Sequence, residues 1–319
     1  MPVRCCFIIL ILMPFTCLSQ EMDHIASYRS MNSDKYVRLS YDNDFFTATD
    51  EYYTQGINIE FVHPELKHFP LSLVLLRLPG AETNFGLALG HEGYTPRSIG
   101  ETYIQYGNHP YAGVLLLKTF STSTMPQKGN RLSAALSTGV IGPAAWADGM
   151  QKAIHKALNN IQPGGWQYQI HNDLVLNYRL TYEHKLFHAG KIFELAVNAT
   201  ADAGTLKDKL TLGASLRTGY FNSPLSDNKD NRALHVYLYD VPALNAVAYD
   251  ATLQGGLFNR SSPYTITAAD VSRLVFCNNV GLVLCYKNIY MEYYLAYRSK
   301  TFRTGLTHQW GGLSLGIGL

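Results

Sequence analysis

The chain has 319 residues, of which 47% are hydrophobic, 12% are aromatic and 16% are charged. Soluble domains usually carry about 25% charged residues. A disordered chain needs few aromatic residues and high charge, so this composition excludes one. The net charge of +2 gives no electrostatic basis for nucleic acid as the main partner.

The first 19 residues are predicted to be a secretory signal peptide. Arg4 supplies the positive start, an apolar core follows, and the small residues Cys17 and Ser19 precede a cut before Gln20. The alternative is a lipoprotein signal with a lipidated Cys17. In the first case, residues 20–319 are expected to form a single domain.

Only two of the five cysteines would remain after cleavage, Cys277 and Cys285. On one strand they would lie about 26 Å apart at roughly 3.3 Å per residue. A disulfide needs Cα atoms within about 7 Å. The sequence therefore predicts two separate thiols.

The rest of the chain contains no segment typical of a membrane helix. The best apolar run, Leu71–Leu78, is interrupted by Arg77 and is far shorter than the roughly 20 residues that are needed. A secreted chain of this composition is then either a soluble all-β or globular protein outside the cytoplasm, or an outer-membrane β-barrel.

Alternation with a period of two residues favours the barrel. One face of each segment is large and apolar, whereas the other is polar, small or sparsely charged, as expected for lipid outside and a polar lumen inside. We count about 12 such segments between Tyr36 and Leu319, and the fold class is therefore predicted as all-β, an antiparallel transmembrane β-barrel of about 12 strands. The clearest segments are 36–44, 54–63, 174–183, 193–198, 210–217 and 289–298.

One segment breaks the strand pattern. Its apolar residues follow the i, i+3, i+4 spacing of an amphipathic helix, which predicts a loop helix near residues 143–161, because a helix cannot form part of a barrel wall. Gln151 and His155 lie four residues apart, hence on one helical face. A histidine in that position is either structural or catalytic. The apolar positions are Met150, Ala153, Ile154, Ala157, Leu158 and Ile161.

The first predicted hairpin collects acidic residues. Asp42, Asn43 and Asp44 end the first strand, and Asp50 and Glu51 precede the second. Oxygen ligands of this kind suit Ca²⁺, but a polar loop with side-chain turns explains them equally. The nucleophile elbow of serine hydrolases, the zinc-protease helix motif and the phosphate-binding loop have no match in the sequence.

Several short motifs together resemble the outer-membrane lipid A 3′-O-deacylase (LpxR-type) family. They occur in the family's order over nearly the whole chain that would remain after cleavage. The motifs are Asn43–Asp44, Tyr53–Thr54–Gln55–Gly56, Pro110–Tyr111–Ala112–Gly113, Gly139–Val140–Ile141–Gly142–Pro143, Gln151-x-x-x-His155, Trp166-x-x-Gln169 and Phe302–Arg303–Thr304–Gly305.

The resemblance implies a barrel in the outer membrane of a Gram-negative bacterium, with its site between the wall and a loop helix. It implies a monomeric, Ca²⁺-dependent carboxylic ester hydrolase that removes a 3′-linked acyloxyacyl group from lipid A, in the lipopolysaccharide of the outer leaflet. His155 is then expected to activate water and Asp44 to bind Ca²⁺, while Asn43 and Thr54 line the site and Gln151 orients His155 or the substrate.

The sequence matches the family's residues for ester hydrolysis better than its residues for recognition of lipid A. Arg97 lies near the second hairpin, but Asn108 and His109 occupy the place where the family often has a charged pair. Two other functions stay open: an outer-membrane phospholipase or acyltransferase that acts on glycerophospholipids, and a non-enzymatic barrel that serves as a pore or scaffold.

Overall fold

The computed structural model describes residues 23–47, 52–227 and 233–319. The predicted signal peptide, Asp50 and Glu51 lie outside these residues. Twelve antiparallel strands form a closed barrel in which each strand pairs with its sequence neighbours and the first pairs with the last, which confirms the predicted fold. The strands are β1 Tyr36–Asn43, β2 Tyr52–Val62, β3 Glu82–Thr95, β4 Ala112–Met125, β5 Asn130–Ile141, β6 Asp173–Ala189, β7 Phe193–Gly204, β8 Lys207–Tyr220, β9 Leu234–Asp250, β10 Leu274–Tyr286, β11 Ile289–Arg298 and β12 His308–Gly318.

Helices are short and lie outside the wall strands. Within the described residues none is both long and apolar enough to span a membrane. The α-helices are α1 Ala147–Ala157 and α2 Ala251–Gln254, and the 3₁₀ turns are Ser27–Arg29, Asp44–Thr47, Pro64–His68, Pro70–Val74, Pro126–Lys128, Pro143–Ala145 and Trp166–Tyr168.

The wall strands present apolar side chains outward and polar side chains inward. On β1, Arg38 and Ser40 are buried in the lumen, whereas Leu39 between them is 46% exposed on the outside. Its cross-strand partners Ile59 and Leu315 are exposed in the same way. A soluble protein would bury this apolar face, so the pattern is that of a membrane-embedded barrel.

The segment before β1 enters the lumen and fills part of it. The Ser27 backbone N–H donates to the Glu183 carboxylate at 3.1 Å, and the Tyr237 hydroxyl donates to the Tyr28 carbonyl oxygen at 2.9 Å. Arg29 is fully buried and its Nη2 lies 2.5 Å from the Glu292 carboxylate. These contacts hold the segment inside the barrel.

Ion pairs in the lumen join neighbouring strands, or join a strand to the segment before β1. Because buried charges are tolerated only when they are paired and hydrogen-bonded, these pairs explain how a narrow barrel holds so many charged side chains. The pairs in the described lumen are Arg29–Glu292, Arg38–Glu60, Arg131–Glu183, Arg179–Asp202 and Arg217–Glu194.

Cys277 and Cys285 are both buried and both free. The prediction of two separate thiols is confirmed.

The long connections 96–111, 142–172 and 251–273 lie at one end of the barrel. At the opposite end of the barrel, the first residue of β1, Tyr36, pairs with the last residue of β12, Gly318. Helix α1 belongs to the connection 142–172, so the candidate site lies at the end of the barrel opposite the Tyr36–Gly318 pair.

Candidate active site on the outer wall of the barrel

Helix α1 is shorter than the sequence predicts. The expected range of 143–161 contains a 3₁₀ turn at Pro143–Ala145, and Trp146 then adopts a left-handed conformation with φ of 61°. That conformation interrupts a right-handed helix, so α1 begins only at Ala147 and ends at Ala157.

Helix α1 packs on the outer face of the barrel wall. Its buried residues are Ala147, Gln151 and His155, which recur every four residues and therefore form one stripe. Ala147 lies directly over Gly113 of β4, where an added Cβ would come within 2.7 Å of the alanine Cβ. The predicted apolar stripe faces away from the wall, with Leu158 69% exposed.

A bulge in β2 turns Thr54 toward the helix. The pairing between β2 and β3 slips between Tyr53 and Gln55, so Thr54 is the extra residue. Tyr53 points into the lumen, where its hydroxyl donates to Asp42 at 3.1 Å. Bulges re-aim side chains in this way, and here the bulge allows Thr54 and Gln55 both to face outward.

Gln151 links the helix to the wall and to the loop behind it. The Trp166 indole N–H donates to Gln151 Oε1 at 2.7 Å, which fixes the orientation of the amide. Its Nε2 then donates to the Thr54 hydroxyl at 3.4 Å. Trp166 itself packs on Tyr111 with ring centroids 4.9 Å apart.

His155 lies on the same buried stripe, one turn beyond Gln151 and about 6 Å along the axis. It is 7% exposed, and its Nδ1 lies 2.7 Å from the Ile161 carbonyl oxygen. Because a carbonyl oxygen only accepts hydrogen bonds, Nδ1 carries the proton. The neutral ring then has its lone pair on Nε2, as a general base requires.

Asn43 also faces outward, at the end of β1. Its Oδ1 accepts a hydrogen bond from the Phe45 backbone N–H at 2.7 Å, and its Nδ2 donates to the Tyr41 hydroxyl at 3.1 Å. Asn43 pairs with Gln55 across the β1–β2 ladder. The next residue, Asp44, begins a 3₁₀ turn and is 1% exposed. Asn43 and Thr54 lie on the adjacent strands β1 and β2, so all three residues are at the same end of the barrel.

The acidic residues of the first hairpin do not all belong to this site. Asp42 faces the lumen, where the hydroxyls of Tyr53 and Tyr294 donate to its carboxylate. Within residues 23–47, 52–227 and 233–319, no group of three or more His, Cys, Asp or Glu side chains is arranged to hold a metal ion.

Arg97 and His109, the basic residues near the second hairpin, lie in different environments. Arg97 is exposed on the loop surface, whereas His109 is buried, and its ring stacks on Tyr94 at 5.3 Å between centroids. Tyr94 faces the lumen and donates to Glu92. Burial lowers the pKa of His109 to about 4, so this side chain is neutral at pH 7.

Sequence reasoning missed several residues that build the site. His91 of β3 faces outward, and its Nε2 donates to the Ala145 carbonyl oxygen at 3.0 Å, which ties the start of the helical loop to the wall. Gly113 and Trp166 occur in the quoted motifs but received no role. Glycine at an outward position, where the alternation calls for a large apolar residue, is the signal that could have shown where the helix packs.

Comparisons with known proteins agree with this architecture. The family model described as outer membrane protein LpxR matches residues 5–319. The structure of LpxR from Salmonella typhimurium is similar with a TM-score of 0.72 at 17% identity, covering 89% of this chain and 100% of that one. The β domain of the Bordetella autotransporter BrkA gives a TM-score of 0.48 at 9% identity, covering 90% and 99%, which is too low to support an argument. No curated protein sequence gives a significant match.

Proposed function

The chain belongs to the LpxR family of outer-membrane proteins, and from this premise we propose that it is a Ca²⁺-dependent lipid A 3′-O-deacylase. The reaction is the hydrolysis of an ester that links an acyloxyacyl group to the 3′ position of lipid A. The observation that carries the proposal is the buried His155–Gln151 stripe of α1, held against Thr54 on the lipid-facing side of the wall.

The position of the site suits a lipid substrate. The family is one of outer-membrane proteins, so the barrel lies in the outer membrane of a Gram-negative bacterium. In such barrels the longer loops face the outside, which places the connection 142–172 at the outer leaflet. An acyl chain can reach an outward-facing site without leaving the bilayer, whereas a site in the lumen would require its extraction. We propose that a monomer suffices, because one chain supplies the helix and the wall.

His155 is proposed as the general base. Its Nε2 accepts a proton from water as the water oxygen attacks the ester carbonyl carbon. The same nitrogen then returns the proton to the 3′ oxygen as the ester bond breaks, and the products are a carboxylic acid and an alcohol. The Ile161 carbonyl oxygen accepts a hydrogen bond from Nδ1–H throughout, which favours the imidazolium that forms.

Asp44 is proposed as the carboxylate ligand of Ca²⁺, with oxygen atoms of Asn43 and Thr54 nearby. The donor set fits this ion in kind, because Ca²⁺ prefers carboxylate, amide and backbone oxygens. When bound, the ion supplies positive charge for the oxygen that becomes negative during attack. Gln151 positions Thr54 and the helix, since its amide joins both.

The proposal is tested by mass spectrometry of lipid A from cells with and without the expressed protein. We expect loss of one 3′-linked acyloxyacyl group with the wild type, and no loss with His155→Ala or after chelation with EDTA. Unchanged lipid A in cells that contain the folded wild-type barrel would overturn the proposal.

The two rival functions have distinct outcomes. A phospholipase or acyltransferase would release lysophospholipid and leave lipid A intact. A pore would conduct ions in planar bilayers, but the lumen contains the segment before β1 and its ion pairs, which argues against conduction.

A further inference from the structure

A row of five residues crosses the outer wall at the level of helix α1. Cross-strand pairing places Gly311, Asn43, Gln55, Gly93 and Gly113 side by side, one from each of β12, β1, β2, β3 and β4. Strands lie about 4.8 Å apart, so this outer row is roughly 19 Å wide. Three of its five positions lack a side chain.

Both ends of the outer row are covered by side chains that lie outside the wall strands. Phe46 lies over Gly311, where an added Cβ would approach the Phe46 Cβ to 2.7 Å. Ala147 lies over Gly113 at the same distance. Between them, Asn43 and Gln55 are the only side chains of the row.

Gln55 differs from the other amides of the site. Its side chain is 2% exposed, and its Nε2 is buried without a hydrogen-bond partner among the residues that the structure describes. The amides of Asn43 and Gln151 both donate and accept. A buried donor without a partner loses its hydrogen bonds to water, and native proteins retain few such donors.

Gly93 provides the space in which the Gln55 amide lies. A Cβ at position 93 would come within 3.0 Å of Gln55 Cγ and 3.4 Å of Nε2. The amide therefore lies over the glycine, beside Thr54, whose Cγ2 is 3.5 Å from the same point. The unpartnered N–H is thus next to the residue that Gln151 contacts.

We propose that Gln55 is a catalytic residue whose amide donates a hydrogen bond to the carbonyl oxygen of the ester that is cleaved. This inference rests on the proposed function. A donor of this kind needs an acceptor, and the acceptor of an ester substrate is its carbonyl oxygen. Negative charge grows on that oxygen as water attacks, so the hydrogen bond is strongest in the transition state.

The test is a steady-state assay of fatty-acid release from lipid A by the folded, detergent-solubilised full chain. Gln55→Met keeps the length of the side chain and removes the donor. We expect kcat to fall about 100-fold with KM within about threefold, because the interaction is made in the transition state. Gln167→Met is the control, since Gln167 is exposed on the connection 142–172 and should retain wild-type kcat.

Gly93→Ala is a second variant that retains the donor but displaces it. We expect a drop in kcat without loss of the heat-modifiable gel mobility that marks a folded barrel. If Gln55→Met fails to fold, Gly93→Ala decides: wild-type kcat in that variant overturns the inference.

The outcomes separate the two proposals. A wild type that releases no fatty acid from lipid A overturns the proposed function, and this inference with it. An active wild type together with a Gln55→Met variant that has unchanged kcat, or a change confined to KM, overturns the role of Gln55 alone.

Discussion

The lumen and the outer wall both bury polar side chains, but they differ in how these are satisfied. In the lumen, Glu292 is held by Arg29 and by the Tyr239 hydroxyl at 2.6 Å. On the outer wall, Gln55 Nε2 and His91 Nδ1 are buried without hydrogen-bond partners in the described chain. Lumen residues such as Asn58 and Tyr290 also bury atoms without a hydrogen-bond partner in the described chain, so the contrast is one of charge: five lumen arginines are ion-paired, whereas the Gln55 amide is neutral and unpartnered.

The difference indicates what each region does. Charges in the lumen are paired within the chain, so they serve stability and keep the barrel filled. Polar side chains on the outer wall are positioned by a helix and a bulge, but some of their hydrogen-bonding groups have no partner within the described chain. This is typical of a site that binds a ligand.

The largest effect on stability is expected in the lumen. Arg29→Met leaves Glu292 buried without its cation and should lower the free energy of unfolding by about 3–5 kcal/mol, as measured by urea unfolding in detergent micelles. Arg303→Met is the matched control, because Arg303 is 75% exposed beside Asp270 and such surface pairs contribute about 1 kcal/mol or less. Equal losses of unfolding free energy in the two variants would show that the ion pair in the lumen contributes no more than the exposed one.

The largest effect on activity through packing is expected at Gly113. In Gly113→Ala the new Cβ meets Ala147 at 2.7 Å, which lifts the helix and should reduce ester hydrolysis about tenfold while the barrel's Tm changes little. Gly149→Ala adds a Cβ to open space on the same helix and should retain activity. Equal activity of both variants would show that contact between helix and wall is not required.

The lumen should also set a pH dependence of stability. Burial lowers the pKa of His109 to about 4, whereas an unfolded histidine titrates near 6.5. The unfolded state therefore binds more protons between these values, and stability is complete above about pH 6.5 and falls as the pH drops toward 4, by up to about 1.4 kcal/mol per pH unit. Thermal unfolding of His109→Gln should show a smaller slope, and an unchanged slope would assign it to other groups.

The smallest effect is expected behind the helix. Trp166→Phe keeps an aromatic ring against Tyr111 and removes the hydrogen bond to Gln151 Oε1. A loss of about 1 kcal/mol corresponds to a fall in kcat/KM of about fivefold. Trp146→Phe is the control, because Trp146 is 81% exposed. A Trp166 variant with full activity would show that hydrolysis does not need the hydrogen bond that orients Gln151.

The barrel could be predicted from sequence because alternation is a local property. Leu39 between Arg38 and Ser40 already shows which face meets lipid, and the twelve strands repeat this pattern. The filled lumen could not be predicted, because Arg29 contacts Glu292 across more than 260 positions of sequence. The residues around either one give no sign of this pairing.

The candidate site could be predicted only in part. The spacing of Gln151 and His155 placed both on one helical face, and the structure places both on the buried stripe. The apolar stripe gave no information about the wall, because in a membrane the apolar face of a loop helix points to lipid. Gln55 was missed although alternation with Ile57 and Ile59 already gives its outward direction, because nothing in the sequence shows that its amide is buried there. The bulge changes the direction of Tyr53 and Thr54, which alternation does not show.

The central claim is that hydrolysis occurs on the outer wall and not in the lumen, and two buried histidines on opposite sides of the wall test it most directly. The measurement is the rate of fatty-acid release from lipid A at pH 7 by His155→Gln and His109→Gln, each normalised to the folded fraction. We predict that His155→Gln loses at least about 100-fold and that His109→Gln stays within about twofold of wild type. A His155→Gln rate near that of wild type, or equal losses in both variants, would contradict the account.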